Sequence, residues 1–448
     1  MAGETKKKKL IFRVIVYSHT TSPRLQYVIH FLSQYFNQSF QLITEKEIFI
    51  SSEDAKINYS PVRIDANEIW IKPVDLLFEN RILPFPIDCF PHEGGCIAFF
   101  KTDDDIGFDM LSGIFYLLSR YEEYLPHKKD LYGRYAHEKA CAFQNGFLRE
   151  PLINIWLEHF QKILTEKNSR LIIHHSPFNF LPTYDIDIAW SYKNKGILRN
   201  AGGLMRSLVN GEWSMVRERL SVLSRKENDP HDAYAWMDKL HEQYALQPIY
   251  FFHVGQKRNK YDKNISVNNK DLQQLIKSIA VKNKTGLHPS WYSGDKPLLI
   301  AKEKKTLENI VAKGIAASRQ HYIRLTLPET YRQLIQAGIR EDYSMGYGSI
   351  NGFRASITTS FYWYDLEREV QTSLLIHPFC FMDANAFFEQ KLTVEQALEE
   401  MLFYYKTIKN VNGQMITIWH NSFLGTDKMF KDWREMYEKF IKIISSSY

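Results

Sequence analysis

The sequence predicts an α/β protein, with a parallel sheet or barrel over residues 177–448 preceded by an α+β unit over residues 1–176. Three observations predict it. From His231 onward, helix-period and strand-like segments alternate. An apolar run, Thr183–Trp190, carries two carboxylates, Asp185 and Asp187, at strand period. Asp185, Asp187, His253, His288, His377 and His420 all fall at the C-terminal ends of predicted strands, where βα folds collect their functional groups.

The elements follow in order. Lys6–Lys9 reads as a solvated basic tail. Leu10–Tyr17 is interrupted by Arg13 and is too short for the apolar core of a signal peptide, so it reads as a strand. Pro23–Phe36 has helical spacing, and Asn67–Ile71 and Cys96–Phe100 read as strands. Met110–Tyr124 predicts a helix stopped by Pro126, and Glu150–Glu166 another with Pro151 in its first turn. His92, His127 and His137 are scattered and read as surface or capping residues, and Asp103–Asp105 as a solvated turn. After the Asp-x-Asp strand, residues 197–226 form a basic helical segment with Arg199, Arg206, Arg217, Arg219, Arg225 and Lys226. A solvent-facing helix pair is the favoured reading, and a lid over an anionic or lipid-linked substrate the alternative.

Then come a helix at Ala233–Leu246, a strand at Pro248–Val254, a helix at Asp271–Lys284 and a strand end at Thr285–Ser290. A helix at Lys304–Ser318, a strand at His321–Leu325, a helix at Pro328–Ala337 and a strand at Ile339–Tyr343 follow. Ser373–His377 and Met415–His420 are the last strands, separated by a helix at Thr393–Ile408.

Composition narrows the function classes. A length of 448 residues suits two or three domains, and 44% hydrophobic content is that of a soluble globular protein. The net charge of +6 is spread along the chain, with no basic-aromatic patch and no phosphate-cradling glycine loop, which argues against nucleic acid as a partner. Four cysteines without CxxC spacing read as free thiols of a reducing compartment. No stretch approaches the ~20 apolar residues of a membrane span, so a cytoplasmic location is expected.

The chemistry centres on Asp185 and Asp187. Carboxylates in a buried strand are costly unless paired or bound to a metal. A lone Asp-x-Asp favours a turn cap and an arginine partner, but the strand-end histidines downstream form a constellation with it. In order along the chain stand Thr183-Tyr-Asp-Ile-Asp187, Gly286-Leu-His-Pro-Ser-Trp-Tyr292, Gly352-Phe-Arg-Ala355 and Ile418-Trp-His420.

This ordered set resembles the motifs of the polysaccharide deacetylases, the chitin-deacetylase-like carbohydrate esterases, over residues 180–422. The first ~175 residues resemble the extra N-terminal region of bacterial members. The resemblance implies a distorted (β/α) barrel catalytic domain and a divalent metal, with zinc expected. It implies hydrolysis of N- or O-acetyl groups on a sugar or glycan intermediate, so a carbohydrate substrate is the expected partner. By the same resemblance Asp185 is the general base, Asp187 and His288 are metal ligands, Arg354 orients Asp185, and His420 protonates the leaving group. The second histidine of the family's motif is replaced by Tyr292. Either Tyr292 or His321 is then the third ligand, and His321 is preferred because imidazole suits zinc better than a phenol; a buried structural histidine is the competing reading of His321. His253 and His377 read as core or rim histidines, with support of the ligands or contact with the substrate as the alternative. Phe361–Tyr364 reads as a sugar-stacking wall or as core, and Asp342 and Tyr343 as a cleft border or a strand-end turn. The alternative function is a catalytically inactive, deacetylase-like protein that binds a carbohydrate or a partner, favoured by Tyr292.

Overall fold

The computed structural model describes residues 13–168, 171, 173, 177–296 and 298–446. The Lys6–Lys9 cluster and the 176/177 boundary lie outside the described residues. The strands in chain order are β1 Arg13–Tyr17, β2 Ser39–Ile43, β3 Ala55–Tyr59, β4 Ile69–Ile71, β5 Phe90–Pro91, β6 Ile97–Ala98, β7 Asn179–Ile186 and β8 Ile249–His253. They continue as β9 Lys284–His288, β10 Ala317–Ser318, β11 Glu341–Asp342, β12 Phe361–Asp365, β13 Val370–Ile376, β14 Phe381–Met382 and β15 Gln414–His420.

Two parallel sheets organise the chain. The N-terminal one has the order β2-β1-β3-β4. The larger one has the order β12-β13-β11-β10-β9-β8-β7-β15-β14, parallel throughout except for β12, which runs antiparallel to β13. Among the described residues no ladder joins β12 to β14, so the nine strands form an open sheet and closure into the expected barrel is not seen.

Side-chain alternation along these strands separates two cores. Tyr184, Ile186, Tyr250 and Phe252 point to the main core, while Ile249, Phe251, Ile416 and Ile418 point to a smaller one on the opposite face. Asp185 shares the face of Ile249 and Phe251 by strand period. Gly286 is required on this face, because a Cβ there would stand 2.5 Å from the Phe251 ring.

The main core runs through both sheets without a break. The helix Pro23–Tyr35 starts with Pro23 in its first turn and a Ser22 side-chain cap, and it lies on the β12 edge of the larger sheet. Tyr27 donates from Oη to the Tyr362 carbonyl at 2.8 Å, and buried Arg24 pairs with Glu369 at 2.6 Å. Phe361, Trp363 and Tyr364 are buried within β12, so this aromatic cluster is core between the two sheets and not a sugar-stacking wall.

Several elements depart from the sequence expectation. No strand forms over 321–325: β10 ends at Ser318, and Tyr322 and Ile323 take φ of 58° and 52°, the left-handed region that ends a strand. The helix expected at Lys304–Ser318 lies earlier, at Leu298–Val311. The helix from Met110 stops at Leu118, where Arg120 turns left-handed with φ 54°. No described helix is long and apolar enough to cross a membrane.

Candidate metal centre

Strand register assembles the site. Asp185 on β7 lies opposite His420 on β15 and Phe251 on β8, and His253 on β8 lies opposite His288 on β9. Asp187 follows β7 by one residue, and His321 follows β10 by three. Neighbouring parallel strands lie about 4.8 Å apart, so side chains from these C-terminal ends converge over the middle of the sheet.

Asp187, His288 and His321 offer three ligand atoms that all lie within 4.8 Å of one another. His288 Nε2 is 3.0 Å from Asp187 Oδ1, and His321 Nε2 is 3.4 Å from Asp187 Oδ2. Ligands about 2.1 Å from one tetrahedral zinc stand about 3.4 Å apart, so the spacing fits a single ion. The groups behind them fix the tautomers. His288 Nδ1 donates to the Arg319 carbonyl at 2.6 Å, which turns Nε2 toward the Asp187 carboxylate. His321 Nδ1 meets Asp262 Oδ1 at 3.0 Å, a carboxylate–histidine pairing typical behind a metal ligand.

Asp187 Oδ1 is buried and accepts no hydrogen bond from the described residues. Burial pushes the Asp187 carboxyl up, but His321 and His288 outweigh it and hold it well below the usual range. At His321, burial opposes charge, yet Asp187 and Asp262 lift its pKa to about 9. Negative charge thus converges on the gap between these side chains, and a divalent cation satisfies it better than one shared proton. The residues fit a metal.

Two further pairs flank the group. Arg319 Nη1 donates to Asp185 Oδ1 at 2.9 Å, while Asp185 Oδ2 stands 3.9 Å from His288 Nε2. His420 Nδ1 meets Asp383 Oδ1 at 2.7 Å, and its Nε2 points at Asp187 Oδ2 from 3.5 Å. Burial by itself lowers the His420 pKa; Asp383, with Asp187 and Asp185, overrides it and lifts it to about 10.

Asp185, Asp187, His288, His321 and His420 therefore come together. Arg354 does not. It is buried against Glu123, with Nη2 to Oε2 at 2.5 Å, and donates to the Gly346 carbonyl. The contact with Asp185 expected of Arg354 is made by Arg319 instead, because Glu123 from the N-terminal region captures the Arg354 guanidinium. Tyr292 sits on the turn Trp291–Gly294 with its ring facing Lys296, and no hydrogen bond among the described residues joins it to the group.

His253 lies behind the site, 3.6 Å from Asp262, and burial drives its pKa down to about 4, so it stays neutral. His377 stacks on Tyr343 at 4.2 Å and pairs with Glu341. Asp342 ties Ser318 and Ser344 together and is a strand-end turn residue.

Sequence reasoning missed Arg319, Asp383 and Asp262. Arg319 and Asp383 each stand one residue beyond a two-residue strand, β10 and β14, so no periodic run announces them. The available signal was position: both are charged residues at a parallel strand end, as Asp187 is. Asp262 lies in an irregular loop and gives no such signal.

Residues 14–169 match a family of unknown function (DUF7033). No curated protein matches the sequence. Among solved structures, one assigned as a polysaccharide deacetylase from Mycobacterium smegmatis overlaps at TM-score 0.39 and 10% identity, covering 61% of this chain and 85% of that one. A polysaccharide deacetylase from Bacillus cereus overlaps at TM-score 0.28 and 10% identity, covering 60% and 88%. A 7,8-dihydropteroate synthase from Vibrio fischeri overlaps at TM-score 0.27 and 9% identity, covering 62% and 94%. None of these overlaps reaches a TM-score of one half, so the chemistry is read from the site's own residues.

Proposed function

We propose that this protein is a metal-dependent hydrolase that removes N- or O-acetyl groups from a sugar or glycan intermediate. The observation that carries the reading is the facing of Asp187, His288 and His321 around a buried, unbonded carboxylate oxygen, with an Asp–Arg pair and an Asp–His pair beside it. Three protein ligands leave a position open, the arrangement of a catalytic rather than a structural site.

Asp187, His288 and His321 would hold the cation, zinc being favoured by two imidazoles and one carboxylate. A bound divalent cation supplies a more acidic water and a polarised carbonyl. Asp185 is the general base: Arg319 fixes one oxygen and leaves the other facing the group to accept a proton from water. His420 is the general acid: Asp383 keeps its ring protonated, and Nε2 delivers the proton to the departing sugar nitrogen or oxygen. Water thus adds to the acyl carbon, acetate leaves, and the sugar amine or hydroxyl is regenerated. In this reading residues 177–448 carry the chemistry, and residues 1–176 supply Glu123 to hold Arg354 away from it.

The test is acetate release from a panel of N- and O-acetylated mono- and oligosaccharides by zinc-loaded protein. Acetate formed in stoichiometric amounts with deacetylated sugar is expected. Release of a different acid, or of none from metal-loaded protein across the panel, contradicts the reading.

A further inference from the structure

The helix Ile197–Val209 is turned the wrong way round for a water-facing element. Its only buried residues are Asn200 and Ser207. Its outward side carries Ile197, Leu198 and Val209, exposed at 88%, 89% and 80%, with Met205 between them. At 100° per residue these side chains, with Ala201 and Gly202, share one face, and Arg206 marks its edge. The following helix, Trp213–Leu223, packs beside it and adds exposed Trp213 and Leu220. The polar sides hold the hairpin to the protein. Asn200 donates to the Tyr192 carbonyl at 3.0 Å, Arg219 donates to Asn200 at 3.1 Å, and Arg199 donates to the Lys263 carbonyl at 3.0 Å.

The net charge, expected from the sequence to be spread along the chain, is instead concentrated on the same hairpin. Lys193 to Lys226 contains eight basic and two acidic residues, a net of +6 equal to that of the whole chain. Arg206, Arg217, Arg225 and Lys226 are exposed around the apolar face. Soluble proteins rarely present so continuous an apolar stripe to water unless something covers it. A second copy of the chain is a poor cover, because two such surfaces would meet with like charge. An apolar face ringed by arginine and lysine, with a tryptophan at the turn, matches the interface of an anionic bilayer, where apolar side chains enter the acyl boundary and cations meet headgroups.

We propose that the hairpin 197–223 docks the protein on an anionic lipid surface without spanning it. On its polar side Arg199 bonds to Lys263, adjacent to Asp262 behind His321, so the hairpin rests on the loop that also backs the candidate metal centre. The docking stands on surface chemistry alone and is independent of the proposed hydrolysis.

The test is co-sedimentation of the full chain with vesicles of phosphatidylcholine, with and without about one third phosphatidylglycerol. Wild type is expected to pellet with the anionic vesicles at least about tenfold more strongly than with the neutral ones, and less so at high salt. Leu198→Glu with Met205→Glu and Val209→Glu is expected to lower partition at least about tenfold at unchanged circular dichroism. Arg206→Gln with Arg217→Gln and Arg225→Gln is expected to remove the preference for anionic lipid. Wild type that ignores anionic vesicles, or apolar-face variants that bind them as well as wild type does, overturns the proposal. So does a wild-type dimer that the apolar-face variant converts to monomer without any vesicle binding, which assigns the face to a second copy.

Discussion

Asp185→Asn is expected to reduce acetate release by at least about a thousandfold while one equivalent of metal stays bound. The amide keeps the size of the carboxylate and can still meet Arg319, but it cannot accept a proton from water. Asp185 is buried with Arg319 Nη1 on Oδ1 at 2.9 Å, so its position is fixed from outside the ligand group. The ligand atoms belong to Asp187, His288 and His321, which the substitution leaves in place. Metal content and turnover measured on one preparation separate the two roles. Loss of metal along with activity would make Asp185 a ligand and refute its assignment as base.

Arg354→Ala is expected to act on stability instead. Arg354, Glu123, Arg120 and Glu122 form a buried chain of alternating charge, with contacts of 2.5, 2.8 and 2.6 Å. Burial pushes Glu123 up, and Arg354 and Arg120 together hold its carboxyl down at about 2. Removing Arg354 leaves two carboxylates and one guanidinium in the core between the N-terminal region and the larger sheet. Breaking a buried pair on one side costs about 3–5 kcal/mol. The guanidinium unfolding midpoint should fall accordingly, with turnover per folded molecule changed little. Arg354→Met combined with Glu123→Leu should recover much of the loss, because an apolar pair of similar volume replaces the charges. An intact midpoint with lost turnover would return Arg354 to the catalytic group.

The Asp-x-Asp strand was legible, because an apolar run with acids at period two leaves few other readings. His288 and His420 were legible at strand ends, since β9 and β15 are five and seven residues long and strongly patterned. Arg354 misled because Gly352-Phe-Arg-Ala355 matches a motif locally, while its partner Glu123 lies 231 residues earlier. No local pattern reports such a pairing. Arg319 was hidden behind a two-residue strand, and the strand expected at 321–325 gave way to left-handed backbone at Tyr322 and Ile323. β2 and β3 went unread because they lie between short turns with little apolar repetition. The helix Ile197–Val209 was read as solvent-facing from its basic residues; its inverted orientation depends on what Asn200 and Ser207 meet, which only the fold reveals.

Asp187, His288 and His321 are proposed to hold one divalent cation. The decisive measurement is metal content by inductively coupled plasma mass spectrometry, on wild type, His321→Ala and Tyr292→Phe after zinc loading and desalting. One equivalent in wild type and in Tyr292→Phe, with loss in His321→Ala, is the predicted result. No metal in wild type, or metal kept in His321→Ala and lost in Tyr292→Phe, would contradict it.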